Sequence, residues 1–195
     1  IRKTFEAIDG AKNVIVHFYN STSTLQRKVV FKTDMQGVID IAIDGAKLIY
    51  ELTEEEKKKN PDMNIRFEYS PESFSGTEMD NAVEICRQVM EELHITKENP
   101  IILNLPSTVE GSTPNGYADQ IEYFCRHLPN RENAIISLHP HNDRGSFNCF
   151  TACNARNKKQ NSFACNKLAK IITENNISLC IIFRTEYINR TVRIR

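Results

Sequence analysis

Short apolar runs alternate with longer helical patterns along the first 140 residues, and this alternation constrains the fold more than any other feature. The runs lie at residues 13–19, 64–70, 101–106 and 134–140, at a mean spacing of about 40 residues. Continuous apolar runs of this length are typical of parallel strands that are buried on both faces. Strands that alternate with helices indicate right-handed crossover connections. The sequence therefore predicts an α/β fold, either a doubly wound sheet or a (β/α)8 barrel.

The segments between the runs carry apolar residues at helical spacing. Thr33 and Gln36 are placed to form a capping box, and Ser75 and Glu78 are placed to form a second one. Thr113 followed by Pro114 predicts a third helix start, with proline at the first position. We expect the apolar residues of the three helices, Cys86 among them, to pack against the sheet, and we expect Cys125 to serve as a small apolar residue as well. The residues expected to pack against the sheet are Val38, Ala42, Ile49, Leu52, Met79, Val83, Cys86, Met90, Leu93, Tyr117, Ile121, Phe124 and Leu128.

Each apolar run ends in a polar cluster. The clusters occupy residues 17–23, 70–73, 104–110 and 137–145. Active sites of (β/α)8 barrels are built at the carboxyl ends of the strands, where these clusters would meet. A nucleotide-binding sheet would instead carry a glycine-rich first turn, and the sequence has no G-x-G-x-x-G or Walker pattern. The polar clusters therefore favour the barrel.

The last of these clusters reads Ser-Leu-His-Pro-His-Asn-Asp-Arg-Gly at residues 137–145. Side chains two apart in a strand point to the same face, so His139 and His141 are predicted to direct two imidazoles to one point. Neutral imidazole nitrogens are ligands for divalent metals. Asn142 and Asp143 are placed to orient such ligands by hydrogen bonding. The alternative interpretation is a polar turn with two solvated histidines.

The strings at residues 17–23, 67–74, 104–110 and 137–145 together resemble the 2-isopropylmalate synthases. That family belongs to the acyl-CoA-condensing, metal-dependent TIM-barrel group, alongside homocitrate synthase, citramalate synthase and hydroxymethylglutaryl-CoA lyase. The resemblance covers about residues 1–145. It implies a partial (β/α)8 barrel in this segment, about strands four to seven with their helices, and a complete protein that is a homodimer.

The resemblance also implies a reaction, the condensation of acetyl-CoA with 2-oxoisovalerate to give 2-isopropylmalate and CoA. His139 and His141 match ligands of a divalent metal (Zn, Mn or Mg) that polarises the keto-acid carbonyl. Thr108 matches a position that binds the keto-acid carboxylate, and Glu72 matches an acid that orients substrate or transfers a proton. A solvated loop carboxylate is the alternative for Glu72. Three further residues match pocket-lining positions: His17, Ser70 and Asn104.

The chain also departs from the family pattern. The family's first-strand Arg-Asp pair, whose Asp binds the metal, is not present, and the chain begins at what resembles the helix before strand four. After Gly145 the Gly-Asn-Gly-Glu-Arg string that carries an Asn ligand is missing, as is the leucine-sensing regulatory domain. A product that is inactive, truncated or frame-shifted, and that serves at most as a scaffold, is therefore the second hypothesis beside the enzyme fragment. A homocitrate or citramalate synthase remains a further alternative.

Residues 146–195 form a tail of different composition. Residues 1–145 hold 16 Lys/Arg and 23 Asp/Glu, a net charge of −7, whereas the tail holds 9 and 2, a net charge of +7, with four of the six cysteines. We expect this basic, Asn- and Cys-rich segment to be poorly ordered apart from residues 167–172 and 177–183. Its cysteine spacing does not match zinc knuckles, and it lacks the pattern of a nucleic-acid-binding module. An altered reading frame, an unspliced intron or a sequencing error would explain the change.

The location follows from what the sequence lacks. The charged start is not a signal peptide, and no apolar run approaches the roughly 18 residues of a membrane span. We expect a cytoplasmic protein with reduced thiols, or one of the mitochondrial matrix if the source is eukaryotic. The expected partners are acetyl-CoA and 2-oxoisovalerate, with no nucleic acid and no membrane. The first residue is Ile rather than Met, so we expect the gene to start upstream.

Overall fold

The computed structural model describes residues 1–141 and 179–184. Within them, five parallel strands form one sheet in the order β4-β3-β2-β1-β5. This confirms the α/β class and the parallel sheet. The strands are β1 (Asn13–Ser21), β2 (Asn64–Glu72), β3 (Ile101–Ser107), β4 (Ala134–Pro140) and β5 (Leu179–Arg184).

Helices lie on one side of the sheet, the first of them before β1 and the others between the first four strands. They are α1 (Arg2–Ala7), α2 (Thr24–Gln26) with the π-helical turn Arg27–Phe31, α3 (Met35–Lys59), α4 (Met79–Glu92) and α5 (Pro114–His127), with 3-10 turns at Phe74–Gly76 and Arg131–Asn133. In the described part of the chain, no helix combines the length and the apolar character needed to cross a membrane.

The three predicted helix starts differ in outcome. The capping box of Ser75 and Glu78 is not formed, because α4 begins at Met79 directly after Glu78 and has no side-chain cap hydrogen bond. The side chain of Thr113 accepts a hydrogen bond from the Gly116 amide at 3.2 Å, with Pro114 at the first turn, as predicted. The prediction for Thr33 is wrong, because Asp34 is the residue that accepts from the Gly37 amide, at 2.9 Å. The Thr33 amide donates instead to the carbonyl of Arg27, so Thr33 closes the preceding π-helical turn.

The two faces of the sheet differ in chemistry because successive side chains of a strand alternate between them. One face is apolar and is covered by α3, α4 and α5. The predicted core residues are buried there, except that Met79 and Val83 are only half-buried, and Cys86 and Cys125 are buried free thiols. The opposite face carries polar residues from four strands: His17, Glu68, Ser70, Asn104, Ser137 and His139.

Strand register brings these polar residues into line. His17 lies beside Glu68 across β1 and β2, and Asn104 lies beside Ser137 across β3 and β4. β4 has the predicted bounds, while β1, β2 and β3 extend one or two residues beyond the predicted runs and so include Glu72 at the end of β2. β5 covers most of the predicted strand 177–183. The other expectations for the tail, including the segment 167–172, lie outside the described residues.

The loop after β2 is anchored by its aromatic residue. Phe74 is fully buried, and its ring meets that of Phe124 in α5 edge-on, with the centroids 5.7 Å apart. Ser73 before it has φ of 57°, in the left-handed region. Burial of an aromatic ring of this size contributes about 1.5–3 kcal/mol. The anchor therefore fixes the path of the chain directly after Glu72.

Candidate active site

A row of hydrogen bonds crosses the polar face of the sheet and takes one residue from each of four strands. His17 Nε2 lies 2.7 Å from Ser70 Oγ, and Asn104 Nδ2 lies 2.8 Å from the same oxygen. Asn104 Nδ2 also lies 3.4 Å from His139 Nδ1. The first three side chains are buried, so this row is shielded from bulk water over most of its length. It runs from β1 to β4 and ends at the exposed ring of His139.

The buried carboxyl of Glu68 stands at the other end of this row. Its Oε1 atom lies 3.8 Å from His17 Nδ1, and the two residues are 5% and 9% exposed. Burial raises the pKa of Glu68 to about 7. Burial, together with the nearby charge of His139, lowers the pKa of His17 to about 4. The two groups therefore do not form an ion pair, because His17 is already neutral at the pH at which Glu68 ionises.

Glu72 and Thr108 meet at the carboxyl ends of β2 and β3. Thr108 Oγ1 donates to Glu72 Oε2 at 3.1 Å and accepts from the Ser73 amide at 3.0 Å. The contact places a carboxylate and a hydroxyl from different strands at one end of the sheet. Gln26 extends the cluster, because its side-chain amide donates to Ser73 Oγ at 3.4 Å.

His139 and His141 lie side by side where β4 ends. Their ring centroids are 5.2 Å apart and the rings are inclined by 29°. The His141 amide donates to the carbonyl of Ser107 at 3.3 Å, which holds the residue against the end of β3. Burial and the charge of His141 lower the pKa of His139, and the charge of Glu72 opposes them. In residues 1–141 and 179–184, no third His, Cys, Asp or Glu joins the pair to form a metal-binding group.

Five of the seven candidate site residues lie at or close to the carboxyl ends of the strands, whereas His17 and Asn104 lie at the middle of β1 and β3. The seven residues form two hydrogen-bonded groups, and the charge of Glu72 in the second group acts on the pKa of His139 in the first. The first group contains His17, Ser70, Asn104 and His139, and the second contains Glu72 and Thr108; His141 stacks on the first. Sequence reasoning missed Glu68. The signal was present, because residues 64–72 alternate polar and apolar and place Glu68 on the face of Ser70.

The chain is an α/β protein with an all-parallel sheet. In such folds the carboxyl ends of the strands are where catalytic and ligand-binding sites usually lie. The HMGL-like family model matches residues 1–155, so the chain belongs to the HMGL-like family.

Curated relatives narrow the similarity within that family. The chain is 60% identical over 146 residues to the 2-isopropylmalate synthase of Acetoanaerobium sticklandii, which covers 75% of this chain and 25% of the relative. It is 58% identical to the enzyme of that name from Rhodospirillum rubrum and 59% identical to the one from Rhizobium johnstonii, over the same length and with 26% and 25% of the relative covered. The chain thus spans about a quarter of the length of the curated relatives that it matches.

Proposed function

We propose that the chain carries part of the active site of a 2-isopropylmalate synthase, an acyltransferase that converts the acyl group to an alkyl group on transfer. The observation that carries the proposal is that Glu72 with its donor Thr108 and His139 with its buried partner Asn104 lie at the same edge of the sheet. About strands four to seven of a (β/α)8 barrel would then be present in residues 1–145. The sequence similarity to enzymes of this name supports the same conclusion.

The donors fit one side of a divalent metal site. Two stacked imidazoles 5.2 Å apart, one of them exposed, give His139 and His141 room to share an ion between them. Zn²⁺ binds imidazole nitrogens of this kind, whereas Mn²⁺ and Mg²⁺ prefer sites that also supply oxygen ligands. When bound, the metal supplies Lewis-acid polarisation of the keto-acid carbonyl. Two protein donors hold a catalytic metal less firmly than the usual three or four.

The remaining residues would bind substrate and move protons. The reaction removes a proton from the acetyl methyl group, joins that carbon to the keto carbon and releases CoA by hydrolysis of the thioester. Glu72 is placed to orient the substrates or to accept a proton. Thr108 has one hydroxyl hydrogen, which it now donates to Glu72. Donation to the carboxylate of 2-oxoisovalerate would therefore take this hydrogen away from Glu72.

The other three residues would shape the pocket. His17, Ser70 and Asn104 form the wall behind His139, and their mutual hydrogen bonds hold them in place. The substrates are acetyl-CoA and 2-oxoisovalerate in this proposal. The complete protein would be a homodimer that works in the cytoplasm, or in the mitochondrial matrix of a eukaryote.

We expect the 195-residue chain alone to show no appreciable synthase activity, because two donors hold a metal poorly. The function is therefore tested in a chimera in which residues 1–141 replace the matching segment of the Acetoanaerobium sticklandii enzyme. We expect the chimera to release CoA from acetyl-CoA in the presence of 2-oxoisovalerate and added Zn²⁺, Mn²⁺ or Mg²⁺. His139→Asn in the chimera should abolish that release, and Tyr123→Phe on the surface of α5 serves as the control.

Competing keto acids separate the related functions. A homocitrate synthase would require 2-oxoglutarate and a citramalate synthase would require pyruvate, as the carbon skeletons of their products show. Preference of the chimera for either acid would overturn the assignment of 2-oxoisovalerate. A chimera that folds but releases no CoA with any of the three acids would favour the second hypothesis, an inactive product.

A further inference from the structure

The row of polar side chains from Glu68 to His139 has a direction, because every hydrogen bond has one donor and one acceptor. A single atom, Asn104 Nδ2, contacts both Ser70 Oγ at 2.8 Å and His139 Nδ1 at 3.4 Å. With its nitrogen in this place, Asn104 donates to both neighbours. If the Asn104 amide is rotated by 180°, its oxygen takes the place of the nitrogen and accepts hydrogen bonds from both neighbours. The row therefore has two arrangements of nearly identical shape.

In the first arrangement, His139 accepts from Asn104 at Nδ1, so the neutral ring carries its hydrogen on Nε2. Ser70 Oγ then accepts from Asn104 and donates to His17 Nε2 at 2.7 Å. The hydrogen of His17 must lie on Nδ1, which faces Glu68 Oε1 at 3.8 Å. A negative charge on Glu68 favours this arrangement by attraction to the N–H dipole.

In the second arrangement every donor and acceptor is exchanged. Asn104 accepts from His139 Nδ1–H and from the Ser70 hydroxyl, and Ser70 accepts from His17 Nε2–H. A lone pair on His17 Nδ1 then faces Glu68, which a charged carboxylate disfavours and a neutral carboxyl accepts. Only here is Nε2 of His139 free to bind a metal while Nδ1 donates to a partner, the usual arrangement of a ligating histidine.

We propose that Glu68 is a positioning residue that sets, through His17, Ser70 and Asn104, which ring nitrogen of His139 is free to bind a metal ion. The inference rests on the proposed function, in which His139 is a metal ligand. Burial supports it independently, because Glu68, His17, Ser70 and Asn104 are each less than a tenth exposed and water cannot easily replace their partners. The raised pKa of Glu68, about 7, keeps both charge states accessible near neutral pH.

The coupling is reciprocal. A metal bound at Nε2 of His139 holds the hydrogen on Nδ1, turns the Asn104 amide and moves the hydrogen of His17 from Nδ1 to Nε2. Binding at one end of the row is therefore felt at the other end, on a ring that does not itself touch the metal.

Nitrogen-15 NMR of histidine-labelled protein reads the hydrogen position on each ring directly. At pH 8, without metal, we expect the unaltered 195-residue chain to carry the hydrogen of His139 on Nε2. Glu68→Gln removes the charge, and we expect the ratio of the two His139 tautomers to move toward Nδ1–H by about fivefold, the ratio that one hydrogen bond of ordinary strength sets. Glu56→Gln is the matched control, since Glu56 is a 4% exposed glutamate in α3, away from the row.

Two further measurements show whether Glu68 acts on His139 through the hydrogen bonds of the row or directly through space by its charge. In a Ser70→Ala background, Glu68→Gln should no longer alter His139, whereas a direct effect of charge would persist. Circular dichroism checks that each variant is folded. If Ser70→Ala does not fold, titration of the unaltered chain with Zn²⁺ makes the same distinction through the tautomer of His17. The row moves the hydrogen of His17 from Nδ1 to Nε2 as His139 binds, whereas a charge effect alone shifts the His17 resonances and leaves the hydrogen on Nδ1.

The outcomes distinguish this inference from the proposed function. Zn²⁺ binding at His139 without any change at His17, or a His139 tautomer that Glu68→Gln leaves unchanged, overturns the role of Glu68 and leaves the metal site intact. Rings of His139 and His141 that do not respond to Zn²⁺ in the chimera, where the remaining donors of the relative are present, overturn the metal site and, with it, the role of Glu68 in metal binding. A fivefold tautomer change that disappears in the Ser70→Ala background supports the inference.

Discussion

The hydroxyl of Thr108 donates to Glu72 Oε2 at 3.1 Å, although the two residues are 36 positions apart. Glu72 is the last residue of β2, and Thr108 directly follows β3. The hydroxyl is at the same time fixed from behind by the Ser73 amide at 3.0 Å. The oxygen is thus held in place by one contact while its hydrogen is free to change partner. This relationship makes Thr108 a direct test of substrate binding.

Thr108→Val in the chimera should raise KM for 2-oxoisovalerate more than it lowers kcat. The variant loses a hydrogen bond to a charged carboxylate, which corresponds to about 1.5–3 kcal/mol or roughly 10- to 150-fold. Thr108→Ser keeps the hydroxyl and should stay within a few-fold of the parent. Steady-state CoA release measures both variants. A larger loss in kcat than in KM would place Thr108 in the chemical step instead.

The pH dependence of stability should show two opposing contributions from the neighbours Glu68 and His17. Folding raises the pKa of Glu68 from its ordinary value near 4.5 to about 7, so this carboxyl makes the folded state lose stability as pH rises through that interval. Folding lowers the pKa of His17 from 6.5 to about 4, so this ring makes stability rise between pH 4 and 6.5. Each contribution is on the order of 3 kcal/mol, and they nearly cancel.

Single variants should expose each contribution. Relative to the unaltered chain, Glu68→Gln should gain stability as pH rises from about 4.5 to 7, and His17→Gln should lose stability as pH rises from about 4 to 6.5. Urea unfolding in the presence of a chelator, at pH 4.5, 5.5, 6.5 and 7.5, gives the differences. Parallel curves for the two variants would show that neither group titrates with a shifted pKa.

The ion pair of Arg27 with Glu78 should matter more for stability than an exposed pair of the same kind. Arg27 is buried in the turn after α2, and it donates to Glu78 and, at 3.2 Å, to Thr24 Oγ1. The carboxylate is half exposed, and this hydrogen bond lowers the pKa of Glu78 to about 2. Glu78→Ala leaves a buried guanidinium with fewer partners, so we expect a loss of about 1–2 kcal/mol in the free energy of unfolding.

Glu122→Ala is the control for that variant, because Glu122 pairs with the exposed Arg126 one turn along α5. We expect it to cost only about 0.3–0.5 kcal/mol, as is usual for helix-surface pairs. Denaturant unfolding at pH 7 measures both. Equal losses in the free energy of unfolding would mean that the ion pair of the buried Arg27 stabilises the fold no more than an exposed pair does.

The outer edge of β4 should promote self-association. In the described part of the chain, β4 has β3 on one side and no strand on the other. Unpaired edges of parallel strands recruit other chains, and a lysine on the edge discourages this. We expect Ile135→Lys to lower the mean mass in sedimentation equilibrium at high protein concentration. Leu25→Lys removes an apolar side chain that is 70% exposed, and it should have the smaller effect unless association occurs through that surface.

The positions of the first four strands along the chain were predictable, because a strand that is buried on both faces needs a continuous apolar run. The polar residues at the ends of these runs mark where each strand leaves the core. The candidate site residues could be selected because each belongs to a motif of the family that the sequence resembles, and their roles stay predictions. The pairing of these residues could not be predicted, because the contact of Thr108 with Glu72 and the row from His17 to His139 depend on strand register, which no local pattern specifies. The predicted cap of α3 was wrong for a related reason. Thr33 and Asp34 are both good helix caps, and the π-helical turn before them determines that Asp34 is the one that caps α3.

Because one face of the sheet is apolar and the other is polar, the polar site residues also help to specify how the strands align during folding. A slip of β2 by one position against β1 would move Phe67 and Tyr69 into the polar row and push Glu68 and Ser70 among the helices. Such a mispaired sheet would bury a carboxyl without partners and leave two aromatic rings uncovered. Glu68 and Ser70 thus also disfavour the wrong alignment of β2 against β1 during folding. Replacing Glu68 and Ser70 by apolar residues would therefore be expected to make the chain fold less uniquely.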